Sequence, residues 1–523
     1  MREKAIKILV AFFVMTVVLP TVSVVSYADG TEVSDFLLKN FGGAGYDQFE
    51  DVIAVEDGFI AVGFGAFGDT GDAGTGDYGG LVSKGGQDAV IVKFDADGNV
   101  LWKNNFGGSS TDQFNAVAAM DDGGFIAVGS SYHFSFGNGS WEGVTGKGSF
   151  DAIIVKFDAD GNVLWKNNFG GSGTDQFNDV AVSADGSFIV VGDSNSDSFD
   201  YGTGTLTKKG GQYATILKIT ENTSGTDCVI IWAKNFGGNN SNDCDSFNGV
   251  AVVDGGAVAV GDTNSLGNGD WIDVTFKGMT DASIVKFNDD GTIMWKKRFG
   301  GPSSQWFYGV TAVDGGVVAV GDSYSGSFNQ PAGDWYGVEA KGSRDAIIVK
   351  YNNSGNVVWK KNFSESVASF NGVTTVDGGV IAVGYGMIKN ETIVSTSDND
   401  PQFIGKGGSD AAVVKFDGNG MIGDLNPGDY AGFIGNNSWG STIVKYDNSG
   451  NVVWKKNIGW ITGELAGVAA FDDGAVAVGR MSIAEPSVPG NKTDINKLVL
   501  AYVVVIGIVF AISIILLKKK GLV

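Results

Sequence analysis

DAVIVKFDADGNVLWKNNFGG (Asp88–Gly108) holds two apolar strands around an Asp-x-Asp-Gly turn, and it returns almost unchanged from Asp151 and in looser form further along. Between its copies runs a second hairpin, an apolar strand, an acidic Gly turn and a strand ending in Val-Gly. It is written AVEDGFIAVG (Ala54–Gly63) and AAMDDGGFIAVG (Ala118–Gly129), then again with ends at Gly192, Gly261, Gly321, Gly384 and Gly479. Self-similarity of this kind marks a repeat architecture in which each unit buries its apolar face only against its neighbours. The spacing from Trp102 to Trp165 is 63 residues, followed by 67, 63 and 64, and then 95 from Trp359 to Trp454. Each unit offers four strands rich in Val, Ile, Phe and Trp and punctuated by Gly and Asp. Runs such as Ile153-Ile154-Val155 suit strands covered on both faces. The reading is an all-β, seven-bladed β-propeller of four-stranded blades with one long loop per blade and a late insertion at about 417–440.

Turn chemistry supports the hairpins, because Asp begins each C-D turn and Gly takes the positive φ that a tight hairpin demands. Asp95, Asp97, Asp158 and Asp160 are therefore read as turn formers. An EF-hand would need an acid at position 12 from Asp95, which is Phe106. An open array would leave sheet edges bare. FLLKNFGG (Phe36–Gly43) matches an outer strand without its hairpin, so it is expected to complete the last blade. Two similar strands, AAVVKFD (Ala411–Asp417) and STIVKYD (Ser441–Asp447), compete for one place in the sixth unit, and both assignments stay open.

The x-V-K-F-D-x-x-G-x-V-x-W hairpin resembles the tryptophan-bearing repeat of quinoprotein-like (PQQ-like) propellers, and the whole unit is similar to repeats of prokaryotic surface propellers. The resemblance covers roughly 36–480 and implies architecture, since one fold hosts many functions. Quinone-dependent members carry an axial metal-bound quinone, a catalytic Asp and often vicinal cysteines. Cys228 and Cys244 are not adjacent, so none of those functional residues is carried over.

The ends of the chain speak of location. Residues 1–28 read as a secretory signal, with Arg2, Lys4 and Lys7 before an apolar stretch and Ser26-Tyr27-Ala28 as a cleavage site. Residues 29–482 form the propeller ectodomain and 483–497 a polar stalk. Leu498–Leu517 is an uncharged apolar run long enough to span a bilayer. Residues 518–523, opening on Lys518-Lys519-Lys520, form a tail that the positive-inside rule keeps in the cytoplasm. The expectation is a single-pass cell-membrane protein with its propeller outside. A net charge of −23 disfavours nucleic acid as a partner. Two cysteines leave closure and core, rather than disulfides, to hold the fold, with a Cys228–Cys244 bridge as one alternative. Sequons at Asn138, Asn222, Asn239, Asn352, Asn362, Asn390, Asn436 and Asn491 are glycosylation sites if the host modifies exported proteins.

Function is sought where the repeats differ. The long B-C loops each place an aromatic residue before a Lys-Gly: Tyr78, Trp141, Tyr201, Trp271, Trp335 with Tyr336, and Phe403. Facing outward, they make a ring of platforms for a surface glycan or protein ligand; folded back, each plugs its own blade edge. Asp47, Asp112, Asp175 and Asp245 open the inner strands, either as an arc able to hold calcium or as caps on loop backbone. Catalysis finds little support, with a single histidine, His133, and no phosphate loop. A polysaccharide-active enzyme would draw on Glu142, Asp270 and Asp334, and a structural envelope component would self-associate laterally. The leading expectation is a membrane-anchored binding, adhesion or scaffold module acting through the loop-rich face.

Overall fold

The structure, a computed structural model, describes residues 37–68, 71, 73–364, 366–388, 410–416, 438–459, 462–471 and 474–482. It is a β-propeller of four-stranded antiparallel blades. Six sheets follow the chain in the order A-B-C-D, from sheet I (Asp47–Val55, Gly58–Gly65, Asp88–Asp95, Val100–Phe106) through sheet II (Asp112–Ala119, Phe125–Tyr132, Phe150–Phe157, Val163–Phe169). The inner strands of sheets III to VI begin at Asp175, Asp245, Gln305 and Ala368. A further four-stranded sheet is composite: Thr462–Phe471, Gly474–Ser482, Asp410–Phe416 and, outermost, Leu37–Phe41. Of the two competing strands, Ser438–Asp447 takes the C position of sheet VI and Asp410–Phe416 pairs with the N-terminal strand.

Every inner strand carries a β-bulge, at Phe49/Asp51, Phe114/Ala116 and the same point of the other sheets. The bulge bends the strand around the axis and brings its backbone onto the neighbouring strand. That approach explains the Val-Gly ending of the repeat. A Cβ on Gly129 would lie 2.1 Å from the Gln113 carbonyl oxygen, and one on Gly321 would lie 1.9 Å from that of Trp306. Gly321→Ala is therefore expected to cost about 2–3 kcal/mol, read as a lowered midpoint in denaturant unfolding.

The bulge also frees carbonyls, and an asparagine of the preceding sheet takes them up. Asn115 Nδ2 donates to Phe177 O (2.8 Å), Asn178 to Phe247 O (2.9 Å), Asn248 to Phe307 O (3.0 Å) and Asn371 to Leu465 O (3.0 Å). This polar belt ties the inner strands together.

Apolar clusters fill each gap between neighbouring sheets, for example Ile60, Val62, Phe106 and Phe114 between sheets I and II. The composite sheet packs on sheet VI through Leu465 and Ile381, and on sheet I through Phe471 and Phe59, whose ring centroids lie 5.9 Å apart. Near the rim, outer-strand tryptophans lie against the C-D turn of the next sheet. Trp232 Nε1 donates to Asp289 O (2.7 Å) and Trp295 Nε1 to Asn353 O (3.0 Å). The turn residues Gly291 and Gly355 leave room for those rings, since an added Cβ would stand 2.8 Å from the indole carbons.

The described cysteines are both free, correcting the alternative of a bridge. Cys228 opens an outer strand at the C-D turn and Cys244 follows the far end of that strand, Cys228–Phe236, so its length separates them. Burial pushes the Cys228 thiol up to about 12. Among the described residues no helix is long and apolar enough to cross a membrane. The signal stretch 1–28, Phe403, the stalk 483–497, Leu498–Leu517 and the tail 518–523 lie outside the described residues, as do 417–437 of the insertion expected at about 417–440, whose last residues open the strand Ser438–Asp447.

Candidate functional face

The B-C loops of sheets I, II and IV fold by one recipe. A glycine at positive φ (Gly76, Gly139, Gly269) opens a short 3-10 turn that ends in an aromatic residue. The next N–H hooks onto a glycine carbonyl after the preceding sheet: Ser140 N to Gly107 O at 2.8 Å, Asp270 N to Gly237 O at 2.9 Å. The aromatic ring then turns inward. Tyr78, Trp141, Trp271 and Trp335 are wholly buried, each with its ring edge-on to the last Phe of the preceding outer strand. The expected outward platform is therefore corrected for these four. Burying a large ring is favourable, and the indole N–H of Trp141 and Trp271 finds an acceptor inside. Tyr201 is half-buried and Tyr336 is exposed.

That acceptor is the aspartate opening the inner strand. Asp245 Oδ1 accepts from Trp271 Nε1 (2.6 Å), while its Oδ2 accepts from Gly238 N (2.9 Å) and Ser265 Oγ (2.8 Å). Asp112 does the same for Trp141, Gly108 and Ser135. Asp175 holds Gly171 and Ser196, and Asp47 holds Gly43. Burial raises the carboxyl pKa values of Asp112, Asp175 and Asp245 against these bonds. Each of the four carboxylates is spent on its own loop. Among the described residues no group of three or more His, Cys, Asp or Glu is placed to hold a metal ion, which corrects the calcium arc. In sheet V the aspartate is replaced by Gln305, and among the described residues the Trp335 N–H has no partner.

The acids proposed for catalysis are braces as well. Asp270 Oδ2 accepts from Lys209 Nζ (2.6 Å) and Gly237 N (2.9 Å), and Asp334 Oδ2 from Lys277 Nζ (2.6 Å) and Gly300 N (2.7 Å). These pairs link the lysine of one loop to the acid of the next sheet. Glu142 is exposed beside the Trp141 turn, and His133 is exposed in another short 3-10 turn.

What this face presents instead is apolar loop tips around a polar channel mouth. Val82, Phe134, Leu266, Ile272, Met279 and Tyr336 are 55–71% exposed, and Tyr46 and Tyr324 are nearer 40%. All eight sit on B-C loops, at the loop end of a B strand, or in a D-to-A crossing. Inside that rim the repeat breaks down. Trp306 and Tyr308 stand where sheets II, III, IV and VI have Gln or Ser and Asn, and Arg344 lies 5.6 Å from the Trp306 and Tyr324 rings. Arg344 Nη2 donates to Asp322 Oδ2 (2.5 Å) and Tyr308 Oη (3.2 Å). A second group joins Arg480 to Glu464 (3.0 Å), with its guanidinium 5.5 Å from the Tyr46 ring. Asp193 accepts from Gln176, Asn178 and Ser246. Burial and the charges of Asp193 and Asp245 push Asp262 up to about 7, and burial with the charge of Glu464 does the same for Glu50.

Deeper in the channel, Asp51 and Asp179 accept from the inner strand of the following sheet, Val117 N at 3.0 Å and Val250 N at 2.7 Å. Burial pushes Asp51 up to about 7; burial and the Asp51 charge push Asp179 up to about 8. Sequence reasoning missed this girdle. Its signal was the loss of the Gln-Phe-Asn pattern at Trp306 and Tyr308 and the unrepeated Arg344 and Arg480.

No protein-family model and no curated protein matches the chain. Among solved structures it is similar to the WD40 β-propeller domain of Doa1, with TM-score 0.39 and 10% identity, covering 87% of this chain and 98% of that one. It is also similar to YCF48 bound to D1 peptide (TM-score 0.37, 8% identity, 89% and 100% covered). A third is a quinonprotein alcohol dehydrogenase-like protein from Bacteroides thetaiotaomicron (TM-score 0.34, 11% identity, 84% and 69% covered).

Proposed function

We propose that this chain is a cell-surface binding module, anchored by one membrane helix at 498–517, whose propeller takes a protein or glycan ligand on its loop-rich face. The observation that carries the reading is the gathering of eight exposed large apolar side chains on that one face, around a mouth where the repeat gives way to Trp306, Tyr308, Arg344 and Arg480. Exposed apolar side chains gathered around a polar centre are the character of a recognition site. The signal stretch and the apolar run followed by three lysines support an extracytoplasmic placement. The packing of the composite sheet on sheets VI and I supports a ring of seven blades closed by the N-terminal strand.

The test is binding of the full chain in lipid nanodiscs to arrays of glycans, envelope polymers and surface proteins. Saturable binding is expected, weakened at least about tenfold when Phe134, Leu266, Met279 and Tyr336 become Ser. Binding that survives those four changes, with the fold intact, would overturn the assignment of the face. Protease shaving of intact cells that leaves the propeller whole would overturn its placement.

A further inference from the structure

Among the described residues, twelve of the twenty exposed large hydrophobic side chains lie away from the loop face, and all twelve occupy one repeated place. They are Val100 and Leu101, Val163 and Leu164, Val229 and Ile231, Ile293 and Met294, Val357 and Val358, and Val452 and Val453, each 42–56% exposed. Each pair sits at the start of the outermost strand of its sheet, just past the C-D turn. That strand is a sheet edge, with a row of backbone groups that no strand of its own sheet takes up.

The flanks of the pair have a fixed polarity. In sheets I, II, III, IV and VI a turn carboxylate precedes it (Asp97, Asp160, Asp227, Asp290, Asp447), and in every sheet a lysine follows it, such as Lys103, Lys166, Lys234 and Lys297. An edge written acid, apolar pair, lysine is complementary to itself under a two-fold rotation. Two such edges laid antiparallel put the apolar pairs together and the acids of each beside the lysines of the other. Successive strands of a sheet twist by about 20–25°, so the fourth strand is turned most of the way across the first. A two-fold axis parallel to the channel then brings two outer strands side by side with both propellers the same way up.

We propose that the propeller rim is a self-association surface, in which the outer strand of one copy pairs with that of a second copy of this chain. The occupant is a second copy because the edge complements its own sequence. The same edge recurs around the ring, so one molecule can meet several neighbours.

The experiment mixes copies of the full chain with and without 15N label in liposomes and applies a zero-length carboxylate-to-amine cross-linker. Mixed-label peptides joining Asp97, Asp160 or Asp290 to Lys103, Lys166 or Lys297 are expected. Within one propeller the Lys209–Asp270 pair serves as the internal control for folding. Leu101→Glu, Leu164→Glu, Met294→Glu, Val358→Glu and Val453→Glu together are expected to lower the mixed-label yield at least about tenfold while the control link persists. Absence of mixed-label links beside a strong control link would overturn the proposal, as would a yield unchanged by the five substitutions. Either outcome is independent of ligand binding on the loop face.

Discussion

Trp271→Ala is expected to lower the stability of the fold by about 3–5 kcal/mol, whereas Ile272→Ser, one residue further on, is expected to leave it within about 0.5 kcal/mol. The difference follows from where the two side chains go. Trp271 fills the gap against Phe236 and Arg298 and donates to Asp245, so its removal opens a cavity and strips the carboxylate of a donor. Ile272 is 60% exposed and contributes to the rim of the loop face. Denaturant unfolding of the two variants, set beside their ligand binding, separates the roles. Trp271→Ala loses stability first, and Ile272→Ser loses affinity alone. Equal stability in the two variants would overturn the plug.

Acidification is expected to stabilise the propeller between pH 8 and about pH 5. Asp51, Asp179, Asp262 and Glu50 are held at about 7 to 8 in the folded chain. Unfolded carboxyls titrate near 4. For a folded pKa raised above the unfolded value, the folded state binds more protons. The stabilising contribution is therefore fully present below about pH 4 and lost as pH rises through 7 to 8. Each group removes up to about 1.4 kcal/mol per pH unit across that window. Thermal unfolding of the chain at pH 5 and pH 8 should show the higher midpoint at pH 5. Asp179→Asn, which cannot ionise, should narrow that difference by raising the pH 8 value. A midpoint that falls on acidification through this window would refute the channel carboxylates as its source.

The strand repeat was legible because its spacing follows from hard constraints. Gly63, Gly129 and their counterparts have no room for a Cβ, and Gly291 or Gly355 must leave space for an indole of the preceding sheet. Such positions tolerate one residue type and print it at every repeat. The loop aromatics printed as regularly, yet the direction of their rings depended on a partner far along the chain. Asp245 precedes Trp271 by 26 residues, and only their hydrogen bond decides between a plug and a platform. The co-occurrence of an opening aspartate with a loop Tyr or Trp in sheets I, II, III and IV was the available sign. The recognition rim was harder to see, since Leu266 and Met279 are single apolar residues in polar loops and carry no pattern. The destination of DAAVVKF was also hidden, because it and STIVKYD satisfy the same local rules. Pairing with Leu37–Phe41, more than three hundred residues earlier, chose between them.

The composite sheet also governs how the molecule bears load. The last described strand, Gly474–Ser482, leads toward the C-terminal end and lies between Thr462–Phe471 and Asp410–Phe416, hydrogen-bonded on both sides. A pull on that end acts along an interior strand, so two ladders resist together in shear rather than one edge peeling bond by bond. The outer strand of the same sheet is the N-terminal segment, which holds the far flank in place. Tension arriving from the C-terminal side thus runs first into the sheet where the first and last described strands flank Asp410–Phe416.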